Sequence, residues 1–448
     1  MATDLPDLID RGLAALPPGP LLVGFSGGLD SSVLLHVLAG LPAARRRGLR
    51  ALHVDHGLHP DAAEWAAHCA RICAALAVPL VDRAVAVVEA GRGLEAAARQ
   101  ARWQAFRAAC DDDTVLVLGH HLDDQAETVL LRLLRGAGAT GLAAMAGWRE
   151  GGSDGLRVWR PWLGDELAGR PGVERAALAA WATAHGLTWI DDPGNRDARF
   201  ERTCLRQVVM PALRQRWPDA VAALARSARR LADARDLEQA AGAELLAQAS
   251  GPDPRVLSWP VLARAPRPAR WAALRLWLAG LGVADTGADR LARIERELAG
   301  ATPDGNPRLV LPGAVLRRYR THLHLLAPGA DQPIEYAIDW DGRLPLDLPC
   351  GRLLLDPAPA AGLPLQVRHR HGGEVLRLAP GGPGRPLRLL LQERAVPPWQ
   401  RARWPVIWLD GAPAGFADLL ASSALASRLA GIGAVLRFQP IDRTPDAV

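Results

Sequence analysis

Six residues near the start of the chain, Ser26-Gly27-Gly28-Leu29-Asp30-Ser31, combine the types needed to hold an anion. Two adjacent glycines let backbone N–H groups approach a phosphate closely, and the two serines add hydroxyls. The stretch lies between an apolar run, Leu21 to Phe25, and a helical pattern starting near Asp30, whose positive end faces such a ligand. The lysine that closes a Walker-type loop is missing. A tight turn with Asp30 or Ser31 as N-cap is the plainer reading of the same residues. A second group lies in GHHLDDQAETVLLRLLRG, residues 119–136. Asp123 and Glu127 are four apart and Asp124 and Glu127 three apart, so each pair shares a helix face. Three crowded carboxylates repel, and a cation, Mg²⁺ or an ammonium, belongs among them. Asp124 and Glu127 also have the spacing of a capping box, but capping requires neither His120 nor His121.

Two further stretches carry weaker signals. In HVDHGLHPDA, residues 53–62, Asp55 and His56 fall at a strand tip, where they can touch an adenosine or shape an entrance. Taken alone the stretch reads as a polar β-turn. In DDPGNRDARFERTCLR, residues 191–206, Arg202 and Arg206 stand four apart on a helical pattern. That spacing suits a clamp for RNA or triphosphate, and equally a solvated helix start.

The elements that must position these groups alternate. Strand-like LLVGF (21–25), LRALHV (49–54), VPLVDRAVAV (78–87) and TVLVLG (114–119) are each followed by a helical pattern, near 31–39, 61–77, 94–110 and 122–135. The order predicts an α/β fold with a doubly wound parallel sheet, whose ligands collect beyond the carboxyl ends of the strands. Ser26–Ser31, Asp55–His56 and His120–Glu127 all follow strands. Residues about 200–325 read as Arg- and Ala-rich helices without strands. Pro and Gly thicken from about 327 to 365 as a linker or short-strand region, and about 365–448 reads as a small mixed α/β domain. The division expected is 1–215, 216–330 and 331–448.

Bulk composition narrows the chemistry. The 448 residues are 49% hydrophobic and 23% charged, which fits a globular chain large enough for two to three domains. No apolar run is long enough to span a bilayer. The opening MATDLPDLID is unlike a signal peptide, and five scattered cysteines suit a reducing compartment, so a cytoplasmic location is expected. Cys69 and Cys73, four apart, lack a second pair for a zinc site. Every one of the 53 basic residues is Arg, which excludes P-loop kinases, Schiff-base enzymes and ligases that carry AMP on a lysine. A net charge of +5 carried by guanidinium forks suits an RNA backbone, and equally a GC-rich coding bias. The 15 Trp can fill cores or stack on bases.

The SGGLDS loop resembles the SGGxDS loop of the PP-loop ATP pyrophosphatases, which grip the departing pyrophosphate of ATP while a substrate oxygen takes AMP. With VDHGLHPDA, LEAAARQARWQAF, GHHLDDQAETVLLRLLRGAGATGLAAM, DDPGN…R and the C-terminal RHRHGGEVLRLAPGGPGRPLRLLLQERAVPPWQRARWPVIW (368–408), the chain resembles the bacterial tRNA(Ile)-lysidine synthetase family. The resemblance touches both ends of the chain, and the middle helices agree in kind. It implies that C2 of the wobble cytidine of a CAU-anticodon isoleucine tRNA is adenylated by ATP and then attacked by the ε-amine of free L-lysine, releasing AMP. Carried over by motif, Ser26, Gly27, Gly28, Leu29, Asp30, Ser31 and Asp55 bind ATP. Asp30 and Asp123 hold Mg²⁺, and Asp124 and Glu127 bind the lysine ammonium with His120 and His121 beside them. Asp30, His120, Asp124 and Glu127 form the catalytic group, while Arg99, Arg102, Arg202, Arg206 and Arg388 meet phosphate or tRNA. The family's Arg-Asn pair reads Arg202-Thr203 here, and its Lys-rich C-terminal segment reads RPLRLLLQER.

Three other readings compete. A cytidine thiolase of the same superfamily usually carries CxxC pairs, which Cys69 and Cys73 do not form. An ammonia-using synthetase carries a glutaminase-like N-terminal Cys, and the chain opens Met-Ala-Thr. An RNA-binding module with a dead nucleotide fold must treat SGGLDSS and HHLDDQAE as accidents.

Overall fold

A computed structural model describes residues 4–57, 59–87, 94–151, 155–165, 169–192, 201–283, 286–300 and 305–440. Residues 193–200, the centre of the DDPGN stretch, and Leu58 of HVDHGLHPDA lie outside the described residues. The chain divides into two compact units, Met1–Leu237 and Glu238–Val448.

The first unit begins with α1 (Leu5–Ala14), β1 (Leu21–Gly24), α2 (Leu29–Gly40), α3 (Pro42–Arg46) and β2 (Arg50–Asp55). It continues through α4 (Ala62–Ala75), β3 (Leu80–Ala84), α5 (Leu94–Ala109), β4 (Val115–Val117) and α6 (Leu122–Leu134). After α7 (Ala139–Leu142), β5 (Trp148–Arg149), β6 (Arg157–Trp159) and α8 (Arg175–Ala184) comes a broken helical run. That run is α9 (Glu201–Cys204), a π-helical turn (Leu205–Val209) and α10 (Met210–Arg216), before the long α11 (Ala220–Ala249). The six-stranded sheet has the order β3-β2-β1-β4-β6-β5. All its pairings are parallel except β5 with β6 at the edge.

Strands covered on both faces must be apolar throughout. Leu21, Leu22, Val23, Val115, Leu116 and Val117 are all fully buried. Successive residues feed opposite cores: Leu21 and Val23 join the α2 side, Leu22 and Leu116 the α5 side. The apolar side expected for α2, marked by Leu34, Leu35 and Leu38, extends around the helix. Val33 and Val37 are buried as well, because α1 and α8 cover the side away from the sheet. Each such burial stabilises by roughly 1.5–3 kcal/mol, so α2 and the loop before it rest on a packed support. The strand order reverses at β1 and β4, and their following loops therefore open on one crevice.

In the second unit the expected absence of strands over 200–325 fails. β7 (Val256–Ser258) precedes α12 (Trp259–Arg264), α13 (Arg267–Gly280) and α14 (Ala288–Ile294). These are followed by β8 (Arg308–Leu311), β9 (Ala314–Tyr319) and β10 (His322–Leu326). The strands form an antiparallel sheet of order β7-β10-β9-β8. Leu309, Leu316, Leu323 and Leu325 pack with Leu274, Trp277 and Leu278 of α13. Arg-rich composition hid the alternation: Arg317 in β9 is buried and is neutralised, with Arg308, by Asp331.

The remainder is a mixed α/β assembly. It holds β11 (Ala337–Trp340), β12 (Leu346–Leu348), β13 (Gly351–Asp356), β14 (Leu365–Arg368), β15 (Val375–Leu376), β16 (Arg385–Pro386), α15 (Leu387–Glu393) and α16 (Pro398–Arg403). It ends with β17 (Val406–Leu409), β18 (Ala412–Phe416), β19 (Leu420–Ala421), α17 (Ser423–Gly431) and β20 (Val435–Pro440). Sheets of order β11-β14-β17-β18-β19 and β12-β13-β20 share a core of Leu353, Val367, Leu387, Ile407, Phe416 and Leu425. No described helix is long and apolar enough to cross a membrane.

Candidate functional site

After β1 the chain is held by Phe25 N donating to Leu52 O and turns through Ser26–Gly28. Gly27 takes φ +77, and a Cβ there would lie 2.5 Å from Ile190 Cδ1 and 2.9 Å from Cys69 Sγ, so any other residue is strained there. Ile190 N and Ser32 Oγ both donate to Gly27 O. The serines stitch the turn internally: Ser31 Oγ donates to Gly28 O, Ser26 N donates to Ser31 Oγ, and Gly28 N donates to Ser26 Oγ. Neither Asp30 nor Ser31 is the N-cap of α2. Gly28 is, with no side-chain bond, which leaves the first-turn amides of α2 for an anion.

The acidic helix α6 starts directly after β4. A Cβ on Gly119 would stand 3.1 Å from the Asp30 backbone, so the exit of β4 rides on the first turn of α2. The capping box of α6 pairs His121 with Asp124, not Asp124 with Glu127. His121 is fully buried. Its Nε2 lies 3.6 Å from Asp30 Oδ2 and 3.4 Å from Asp124 Oδ2, and its Nδ1 lies 3.4 Å from Asp123 Oδ2. Burial opposes a charge, but the three carboxylates overcome it and hold the ring protonated up to about 10. An imidazolium only donates, so at the start of α6 the working cap bond is His121 N to Asp124 Oδ2, 3.2 Å. His120 is the opposite case. Arg160 Nε donates to its Nδ1 at 3.3 Å, which requires a neutral ring. Burial takes its pKa down to about 3, with Asp124 opposing and Arg160, Arg202 and Arg99 adding to the fall.

The cations among the acids are guanidinium groups. Arg206 Nε donates to Glu127 Oε1 (2.7 Å) and its Nη2 to Asp124 Oδ1 (3.0 Å), while Arg202 Nε donates to Glu127 Oε2 (2.9 Å). Arg202 and Arg206, expected on phosphate or tRNA, are thus drawn to carboxylates. Glu127 is buried, and a buried carboxylate needs a counter-charge. Asp123, expected beside the metal, is held by hydrogen bonds at both oxygens. Oδ1 accepts from Arg214 Nη2 (2.7 Å) and Oδ2 from Arg175 N (2.8 Å). Asp30 differs: its Oδ1 is buried without a hydrogen-bond partner, and Arg175 Nε stands 3.9 Å from it. No cluster of three or more metal-ligating side chains exists among the described residues.

The remaining expectations scatter. Asp55 Oδ1 accepts from Gly57 N, the turn geometry that its composition suggests. Arg102 Nε donates to His56 Nε2, and Arg99 is exposed on the same helix, α5. Arg388 is exposed on α15 in the second unit. Arg160, Arg175, Arg214 and Glu174 carry no motif in the sequence. Arg175 and Arg214 reach Asp123 from 52 and 91 residues away, a separation that no spacing rule covers.

Three family models match the chain: a PP-loop domain over 5–213, the TilS substrate binding domain over 257–324 and the TilS substrate C-terminal domain over 365–432. A tRNA(Ile)-lysidine synthase of Xanthomonas axonopodis pv. citri is 43% identical, covering 95% of this chain and 96% of its own. Proteins of the same name from Ralstonia nicotianae and Pseudomonas syringae pv. tomato are each 42% identical, covering 86% and 92% of this chain and the same shares of their own.

Proposed function

The chain belongs to the tRNA(Ile)-lysidine synthase family, and from that premise we infer that it forms lysidine on a CAU-anticodon isoleucine tRNA with ATP and free L-lysine. One observation carries the assignment of residues: His121 joins Asp30 of the phosphate loop to Asp124 of the acidic helix through contacts of 3.6 and 3.4 Å. A nucleotide on the loop and an amine on the helix therefore share a single site.

The Ser26–Ser31 turn and the open end of α2 hold the pyrophosphate end of ATP. Asp30 Oδ1, the carboxylate oxygen without a partner, fits Mg²⁺ arriving with the nucleotide. Held there, such an ion would supply positive charge against the phosphates; the cytidine O2 attacks the α-phosphorus and pyrophosphate leaves along the Ser26–Ser31 turn. His121, fixed as an imidazolium, keeps Asp123 and Asp124 ionised and ties Asp30 to them. Arg202 and Arg206 exchange their carboxylates for phosphate as nucleotide and tRNA arrive, which frees Asp124 and Glu127 for the lysine ammonium. The ε-amine passes its proton to the Asp124–Glu127 carboxylates and attacks C2, and AMP departs with the former carbonyl oxygen. His120, neutral, takes part as a hydrogen-bonding group beside Asp124. Arg99, Arg102 and Arg388 meet tRNA phosphate, and Asp55 borders the adenosine.

The labour divides by segment: 1–215 performs catalysis, and 216–330 and 331–448 contact tRNA. Such work belongs in the cytoplasm, where tRNA, ATP and lysine meet. The thiolase alternative draws no support from the cysteines. Cys69 and Cys73 are buried, and burial pushes their thiols up to about 12 and about 11. Incubation with labelled lysine, ATP and bulk tRNA is the test. Lysine incorporation with AMP and pyrophosphate release is expected, and dependence on a sulfur donor instead would sink the reading.

A further inference from the structure

Arg160 stands where a parallel sheet gathers its ligands, one residue beyond the carboxyl end of β6. β6 runs parallel to β4, with Val117 opposite Trp159, and Leu118 N donates to Trp159 O. The exit of β6 therefore lies beside the exit of β4, which leads through Gly119 into His120. Arg160 is buried, and a buried guanidinium must find acceptors for its N–H groups. Its Nη1 donates to Ala146 O (3.0 Å) and its backbone N to Gly147 O (2.7 Å). That segment is itself tied to α6, because Gln125 Nε2 donates to Met145 O and Met145 N donates to Gln125 Oε1. The guanidinium is thus fixed before it reaches His120.

Arg160 Nε donates to His120 Nδ1 at 3.3 Å. A guanidinium keeps its protons and offers no acceptor, so this bond has one direction only. Nδ1 carries the lone pair, and the single proton of the neutral ring sits on Nε2. Nε2 meets no acceptor among the described residues. A directed N–H donor is left there, close enough to Asp124 to feel its charge and one residue after Gly119, which rides on the Asp30 backbone. Mere filling of that space would be served by either tautomer.

We propose that Arg160 is a positioning residue for lysine transfer: by fixing the His120 proton on Nε2, it aims that N–H at the oxygen through which AMP departs. The proposal rests on the lysine-transfer reading above and adds to it the group that receives the leaving oxygen. As the amine nitrogen bonds to C2, the C2–O bond breaks and its electron pair passes to the oxygen carried away on AMP. His120 gives that oxygen a hydrogen bond and keeps its own proton, while the amine proton goes to the carboxylates. A neutral imidazole held as a donor meets growing negative charge without changing its protonation state. One such preset donor is worth roughly 10²–10³ in rate.

Full-length enzyme carrying isotope-labelled histidine reads the tautomer by nitrogen NMR at neutral pH, with His120→Gln identifying one ring among the 12. Wild type should show a protonated Nε2 and a bare Nδ1. Arg160→Met should abolish that preference and lower kcat for lysine transfer at least about tenfold, with little change in KM for lysine. Arg160→Lys retains a donor for Nδ1 and should recover part of both. Because Arg160 also holds Ala146, a second pair of variants leaves it in place and separates any folding defect. The amide nitrogen of glutamine can stand where Nε2 stands, and that of asparagine where Nδ1 stands. His120→Gln should therefore transfer lysine at least about tenfold faster than His120→Asn. A wild-type ring protonated on Nδ1, an unchanged tautomer in Arg160→Met, or an Asn variant as fast as the Gln variant overturns the proposal. Failure of the underlying reading shows separately, as no incorporation of labelled lysine by a wild type whose tautomer is read all the same.

Discussion

A Cβ at position 27 would collide with Ile190 and Cys69 and would have to adopt φ +77, so Gly27→Ala tests the phosphate loop with one methyl group. The expected result is a KM for ATP raised at least about tenfold and a stability loss of about 1–3 kcal/mol, read by steady-state kinetics and urea denaturation. Glu127→Gln keeps shape and removes charge, leaving Arg202 and Arg206 facing a neutral amide. Lysine transfer should fall by about a hundredfold or more at saturating ATP, because the carboxylate acts on the amine. A variant that transfers lysine at the parental rate would remove Glu127 from the site. At this scale spacing showed that Asp123, Asp124 and Glu127 share one side of a helix, and could not show which cation each one meets.

Among the elements, β10 offers a pH probe. Burial holds the His324 imidazole down to about 4, His322 adds to the fall and Asp253 opposes it, and the ring packs edge-on against Trp399. The folded chain keeps this ring neutral while the unfolded chain protonates it near 6.5. The stability it contributes is therefore complete above about 6.5 and lost as pH falls toward 4. Denaturant midpoints measured across that window should drop, and His324→Gln should flatten the slope. On β8 and β9, Arg308 and Arg317 converge on Asp331, whose carboxylate is buried. Asp331→Ala strands the buried Arg317 and should cost about 3 kcal/mol, at the lower end for a broken buried pair because Arg308 is partly exposed. Equal denaturation midpoints for variant and wild type would show that the triad is not structural. These strands escaped the sequence reading because a buried Arg in place of an apolar residue breaks the two-residue rhythm, and its counter-ion lies outside the strand.

For the whole molecule, an all-Arg basic chain that works on tRNA should bind it with steep salt dependence, since each phosphate contact releases counter-ions. Removing 331–448 should lower tRNA affinity and weaken discrimination between tRNAs sharing a CAU anticodon, measured by filter binding and by lysine transfer to mixed tRNA. Affinity and discrimination equal to those of the full chain would sink that expectation. The cut also strips Trp399 from His324 and Arg401 from Tyr319. Denaturant unfolding of the shortened chain separates loss of contact from loss of packing.

Local chemistry wrote much of this protein into its sequence. The glycine turn, the alternation of strands and helices and the helical spacing of the acids depend on residues a few positions apart, and the structure keeps them where that spacing put them. Tertiary structure alone decided that His121 bridges the phosphate loop and the acidic helix, and that guanidinium groups sit among the carboxylates. It alone brought Arg175 and Arg214 to Asp123 from distant parts of the chain. A buried charge must find its partner among whatever helices the sheet brings alongside, and that choice has no period to be read along the chain.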